Sequence, residues 1–419
     1  MTKKNILQSL GPGLLFAGAA VGVSHLVYST KAGAIYGFGL IWLVFMANIF
    51  KYPFFEFGPR YAAATGESLL RGYQRLGNWV LGLFSIITLC TMFTIQAAVT
   101  IVTASLAVHL FGNGISLMFW AAILLLVCAG ILTIGRYKLL DNLMKFIIIT
   151  LTLITFITVI IAFKQTTSPI RWAQEFPMEG IGLTFVIAFM GWMPAPLDLS
   201  VWHSLWALEK QKQTQDDFNL KKSLFDFNVG YIGTTILALF FVALGALVMY
   251  NSGTAFSPKG AVFAKQLIEL YTTTLGNSMG LFIGLAAFIT MFSTTVTCLD
   301  ALPRSMAKAH VLLMKKNTAT HSTNTQADSS RVYYFGWLGT LVIGSLVILN
   351  LFLTNMASFL MVATILSFLT TPFFAIVNYI LVTRYLPKEQ QPSMIIKALS
   401  GLGIVYLFVF CGIYIWSLL

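Results

Sequence analysis

Charge is what this sequence has least of. Charged residues make up 10% of 419 positions, against 58% apolar, with a mean hydropathy of +0.83. A soluble domain carries roughly 25% charge, so a water-soluble globule is excluded. The four cysteines (Cys90, Cys128, Cys298 and Cys411) all fall inside apolar stretches, without CxxC spacing and without histidine at ligand spacing. That excludes a disulfide framework and a zinc site, and leaves small buried hydrophobes. No Walker loop, HExxH, GxSxG or usefully spaced carboxylate pair occurs, so the chain reads as neither an ATP-driven motor nor an enzyme, with no cofactor. The first apolar stretch is too long for a signal peptide and lacks a small-residue cleavage site, so it stays as a membrane span.

What is abundant is long hydrophobic sequence. A bilayer needs about 20 apolar residues per helix, and eleven stretches qualify: residues 11–34, 38–62, 78–109, 115–135, 142–163, 180–206, 225–250, 274–306, 333–354, 357–383 and 396–418. The expected fold class is therefore all-α and integral to the membrane, as one transporter domain over residues 1–419. Five stretches precede the sixth and five begin with it, leaving the eleventh over. Because five is odd, the halves insert with opposite orientation, which gives a LeuT-like 5+5 inverted repeat, about 11–163 and 180–383, plus an extra helix at 396–418. The longest polar stretch, 308–332, reads as a flexible cytoplasmic loop. So does 207–223, where Asp216 and Asp217 stand beside Lys221 and Lys222.

The net charge of +12 raises nucleic acid as a partner, and its distribution argues against one. With the N-terminus in the cytoplasm, inner loops hold 20 of the 26 basic residues, as topology signals do. Outside lie Lys31, Lys164, Arg171, Lys259 and Lys265, and Lys51 sits within a segment. The reading is a multi-pass protein of the cell (inner) membrane, N-terminus inside and C-terminus outside, partnered by lipid and by a transported ion or small solute.

Two apolar stretches are interrupted. The first breaks at Gly18-Ala19-Ala20-Val21-Gly22-Val23-Ser24-His25, the sixth at Met193-Pro194-Ala195-Pro196-Leu197-Asp198. Paired interruptions in matching positions of two halves point to a transporter's substrate site, since unwound backbone at membrane depth must be buried in protein or line a cavity. Gly18 and Gly22 could serve close helix packing. His25 is a metal ligand, proton carrier or hydrogen-bonder if it is not structural. Pro194 and Pro196 remove two backbone donors, freeing carbonyls near 190–193 for a cation. Asp198 could bind that cation, neutralise His25, or cap the next helix. Met193 is either a soft thioether ligand or core filling. Glu56 and Lys51 stand five residues apart and do not pair readily. Asp300 and Arg304, at i and i+4, read as an ion pair.

Gly11-Pro12-Gly13-Leu14-Leu15, followed by Gly37, Trp42, Asn48, Arg60 and Ala64-Thr65-Gly66, resembles the opening of the Nramp divalent-metal transporters. Met193-Pro194 and the pairs Ser367-Phe368 and Pro372-Phe373 resemble the family's sixth and tenth segments. The resemblance implies a divalent cation as cargo (manganese, iron or another). It places the family's carbonyl ligand on Met190, its methionine ligand on Met193 and a tenth-segment glutamine on Thr370. The family's Asp-Pro-Gly-Asn reads here Gly22-Val23-Ser24-His25, so the anchoring carboxylate is absent and histidine replaces asparagine. Ala195-Pro196 replaces the family's His-Asn. Acidic residues of its proton route are missing as well: Gln96 and Val99 occupy that region, and 115–135 holds no acid. The implied binding set is Gly22, His25, Met190, Met193, Asp198 and Thr370, with His25, Met193 and Asp198 nearest a metal and proton coupling in doubt. Two other readings stand beside this one: an inverted-repeat symporter for a small organic solute such as an amino acid, and a transport-inactive membrane scaffold or sensor.

Overall fold

The computed structural model describes residues 10–112, 114–134, 137–166, 170–213, 219–250, 257, 259–276, 280–314, 323–352 and 355–418. Among the described residues the fold is all-helical. Eight helices are long and apolar enough to cross a membrane, or nine if one bent pair is a single span.

The bent pair opens the fold. Helix α1 (Pro12–Ala20) starts on a proline, whose missing N–H costs nothing in a first turn. It stops where Val21 leaves helical geometry (φ −78°, ψ 79°). A π-type turn, Ser24–Ser29, then runs into α2 (Thr30–Tyr36), bent from α1 by 48°. Next come α3 (Ile41–Thr65), α4 (Leu69–Leu76), α5 (Asn78–Phe111), α6 (Leu117–Ile134) and α7 (Tyr137–Gln165). The sixth stretch divides into α8 (Gly180–Trp192) and α9 (Leu199–Gln213), with Met193 extended and a cis Met193–Pro194 bond between them. There follow α10 (Leu220–Leu244), α11 (Gly260–Leu275), α12 (Gly280–Met314), α13 (Thr323–Phe352), α14 (Met356–Leu369), α15 (Thr371–Arg384) and α16 (Met394–Trp416).

Several expectations shift. The described parts of 308–332 are helical, because α12 runs on to Met314 and α13 begins at Thr323; residues 315–322 lie outside the described residues. Asp216 and Asp217 lie outside them too. Helices α4 and α11 occupy stretches read as loops. The hydrophobic count missed both because neither is long and apolar enough to span a bilayer.

Two buried carboxylates inside the fold are paired with arginine. Arg60 donates to both oxygens of Glu56 (2.5–3.1 Å) and to Gln390 O at 2.8 Å. Arg304 grips Asp300 with two bonds, 2.6 and 3.0 Å, and the Tyr334 hydroxyl adds a third at 3.0 Å. Such bidentate pairs hold a buried carboxylate where water cannot. Asp226 of α10 plays a different part. Its two oxygens accept Gly11 N–H at 2.8 Å and Gly13 N–H at 2.6 Å, capping the start of α1. This is where a helix's orphan donors and positive dipole end favour an anion.

Here α1 and α10 also touch backbone to backbone. A Cβ on Gly13 would lie 2.0 Å from Asp226 O, and one on Gly230 would lie 2.0 Å from Gly13 O. Gly13→Ala must therefore push the two helices apart. We expect it to destabilise by about 1–3 kcal/mol or more, read as a lowered unfolding temperature in detergent. Gly401→Ala, inside α16 where the added Cβ meets nothing within 4 Å, should not lower that temperature.

Candidate functional site

Both interruptions free backbone groups, and each is answered by a specific side chain. At the first, Ala20 and Val21 end α1 and their neighbours lose helical partners. Thr294 of α12 donates its hydroxyl toward Gly18 O (2.9 Å) and Val21 O (3.2 Å). Gly22 is small because Thr294 is there: a Cβ on it would approach Thr294 Cγ2 to 2.9 Å. At the second, Lys51 reaches from α3. Its Nζ donates to Met190 O at 2.5 Å, Gly191 O at 3.0 Å and Ala195 O at 3.5 Å. Gly191 itself is pressed against α14, where a Cβ would meet Thr364 O at 2.3 Å.

The two breaks meet. Ser24 Oγ lies 3.3 Å from Pro194 O, 3.0 Å from Ala20 O and 2.7 Å from His25 Nδ1. On the other side of the ring, His25 Nε2 lies 3.0 Å from Thr234 O. A carbonyl only accepts, so Nε2 carries the hydrogen, and in the neutral ring Nδ1 accepts the Ser24 proton. Both ring nitrogens are then engaged. A rotation of the Ser24 hydroxyl toward Ala20 O or Pro194 O would release the Nδ1 lone pair without moving the backbone.

A cavity of about 20 Å³ lies between the breaks, room for little more than one water or one ion. Ala19, Ala20, Val23 and Ser24 line one side, and Trp192, Ala195, Pro196, Leu199 and Trp202 the other. Helices α5 and α12 close it with Ile95, Val99, Thr294 and Cys298. No carboxylate is among these residues. The Nε1–H groups of Trp192 and Trp202 have no hydrogen-bond partner among the described residues.

None of the six expected site residues lines this cavity; immediate neighbours of Gly22, His25, Met193 and Asp198 do, and those of Met190 and Thr370 do not. Gly22 packs on Thr294, and His25 points at α10. Met190 gives its carbonyl to Lys51 and receives the Tyr406 hydroxyl on its sulfur at 2.9 Å. Met193 is buried beside the break. Asp198 is buried just ahead of α9, with Oδ1 unpartnered among the described residues. Thr370 lies away from the cavity, between α14 and α15, bonded to Ser367 O at 2.8 Å. The residue of the tenth stretch that does reach the first is Thr364, whose Oγ1 is 3.2 Å from the Tyr28 hydroxyl. Reasoning from residue type overlooked Thr294 and the role of Lys51. A threonine in a threonine-rich helix carries no signal, but a lysine within an apolar run does. Among the described residues no group of three or more His, Cys, Asp or Glu side chains could hold a metal ion.

Residues 13–417 match the profile of the natural resistance-associated macrophage protein-like (Nramp) family. This chain belongs to the Nramp family. An uncharacterized protein of Pasteurella multocida is 36% identical over 412 residues, covering 97% of this chain and 92% of its own length. Among solved structures, a variant of the Eremococcus coleocola manganese transporter superposes with a TM-score of 0.74 at 14% identity, covering 99% of this chain and 87% of that one. A nucleobase-cation-symport-1 family transporter holding bromovinylhydantoin gives a TM-score of 0.61 at 14% identity, covering 97% and 92%. MhsT in complex with L-phenylalanine gives 0.54 at 14% identity, covering 96% and 98%. This Nramp protein therefore has a LeuT-like fold and is not an enzyme.

The Thr294 hydroxyl answers two carbonyls in this Nramp chain. Thr294→Val keeps the shape and removes the donor, leaving them unpaired at a cost of about 1–3 kcal/mol. Its unfolding temperature in detergent should fall, while Thr294→Ser should stay near wild type. Equal values for both variants would show that the hydroxyl does not hold the break.

Proposed function

We propose that this Nramp protein is a secondary transporter that moves divalent metal cations by alternating access between its two broken helices. The single observation that carries the reading is the meeting of the breaks at Ser24 and Pro194 around a cavity the size of an ion. A metal near that cavity would draw on Asp198, whose Oδ1 lacks a partner among the described residues, on Met193, and on His25 Nδ1 once the Ser24 hydroxyl turns away. Gly22, Met190 and Thr370 complete the proposed set by position rather than by contact with the cavity. An ion so held keeps part of its water, because the protein offers little charge.

The proposed topology counts eleven crossings. Helix α3 joins the nine because its Lys51, Glu56 and Arg60 are satisfied inside the fold, and α8 with α9 forms the second interrupted span. Residues 11–163 and 180–383 form inverted repeats, with 396–418 added. The N-terminus lies in the cytoplasm and the C-terminus outside, in the cell (inner) membrane. Proton coupling has little to run on: Gln96 donates to Thr295 O at 3.3 Å, within a layer of hydroxyls rather than acids. The organic-solute reading draws on the two unpartnered tryptophan N–H groups, but a cavity this small has no room for an amino acid in this conformation. The scaffold reading would have the breaks do no more than pack against each other.

Proteoliposomes containing the wild-type chain should take up Mn²⁺ or Fe²⁺ at rates indifferent to an imposed pH gradient. Asp198→Asn should lower that uptake at least about tenfold without changing the unfolding temperature downward. Absence of uptake across a panel of divalent cations would reject the metal reading.

A further inference from the structure

Lys51 is wholly buried in the middle of α3, far from any solvated end. Among the described residues its ammonium has no carboxylate partner. Its three hydrogens match three oxygens, all of them backbone carbonyls of the second break. Met190 and Gly191 are in the last turn of α8, and Ala195 follows the interruption. Two of the contacts are short and the third, at 3.5 Å, completes a set of acceptors suited to an ammonium, which has three hydrogens and no lone pair to set against a carbonyl. The last-turn carbonyls of a helix carry its negative dipole end and have no partners within the helix. Converging backbone carbonyls of this kind, with no acid among them, are how proteins replace the hydration shell of a monovalent cation.

We propose that Lys51 is a tethered cation. Its ammonium occupies a backbone-carbonyl site that would otherwise take a free monovalent ion such as Na⁺ or K⁺, and it holds the two halves of the broken helix in register. The lysine stem supplies from α3 what a dissociable ion would supply from solution. The break is therefore kept in shape whatever the salt outside. It also carries a fixed positive charge beside the cavity, which no cargo can displace into solution. This assignment does not depend on which cargo the protein moves.

The test is thermal unfolding of purified full-length protein in detergent, at constant ionic strength, with choline, Na⁺ or K⁺ as the only cation. Wild type should unfold at one temperature in all three. Lys51→Ala should unfold roughly 5 °C lower in choline and regain about half of that loss in Na⁺ or K⁺, as a ligand bound only by the folded state requires. Lys51→Met keeps the apolar stem and removes the charge, so it separates a lost cation from a lost filling, and it should show the same new dependence. Both variants responding to the salts no more than wild type does would overturn the proposal. So would failure of both to fold with Na⁺ or K⁺ supplied, since the ion should replace the ammonium. Mn²⁺ uptake by the wild-type chain is read separately: its absence would sink the metal reading and leave the salt response of the Lys51 variants to decide this one.

Discussion

A helix interrupted inside a hydrocarbon layer exposes backbone groups where there is no water to receive them, and each left unpaired costs several kcal/mol. That constraint organises the centre of this protein. It is met differently at the two breaks. A hydroxyl from α12 answers the first, and the Lys51 amino group from α3 answers the second. The neighbouring helices are thus chosen by what they must donate, and small residues stand wherever that donation demands close approach. Gly22 beneath Thr294 is an instance of that requirement, while Gly191 is small because the Thr364 carbonyl of α14 packs against it.

Much of this architecture could be read from the residues. The hydrophobic lengths located the long helices, and the proline pair and the glycine-rich run located both interruptions and their meeting. The ion pair of Asp300 with Arg304 followed from spacing alone. The partner of Glu56 is Arg60, at the same spacing, and not Lys51, which stands five residues away on a different side of the helix. Helices α4 and α11 were missed because a search for spans ignores segments too short or too polar to cross.

The cavity was legible only in part. Sequence reasoning picks residues by chemical type, and so settled on His25, Met193 and Asp198. Which side of an unwound segment faces a neighbour is set by dihedral angles that residue identity does not encode. Hence the lining falls on Ser24, Trp192, Ala195 and Trp202, one or a few positions away. Thr370 was assigned by analogy across a gap, and nearly two turns earlier Thr364 meets the first helix. A buried lysine could have been matched to freed carbonyls in advance, since a charge in an apolar run needs acceptors and the proline break was the nearest large supply.

Asp226 bears on how such a molecule could move. Two charge-assisted bonds and a backbone contact fasten the beginning of α1 to α10. Any swing of that half-helix must either carry α10 along or break both of these buried bonds. On this flank α1 and α10 are thus fastened as one two-helix unit, and the first joint beyond that fastening is where α1 gives way to Val21 and Gly22, at the edge of the cavity itself.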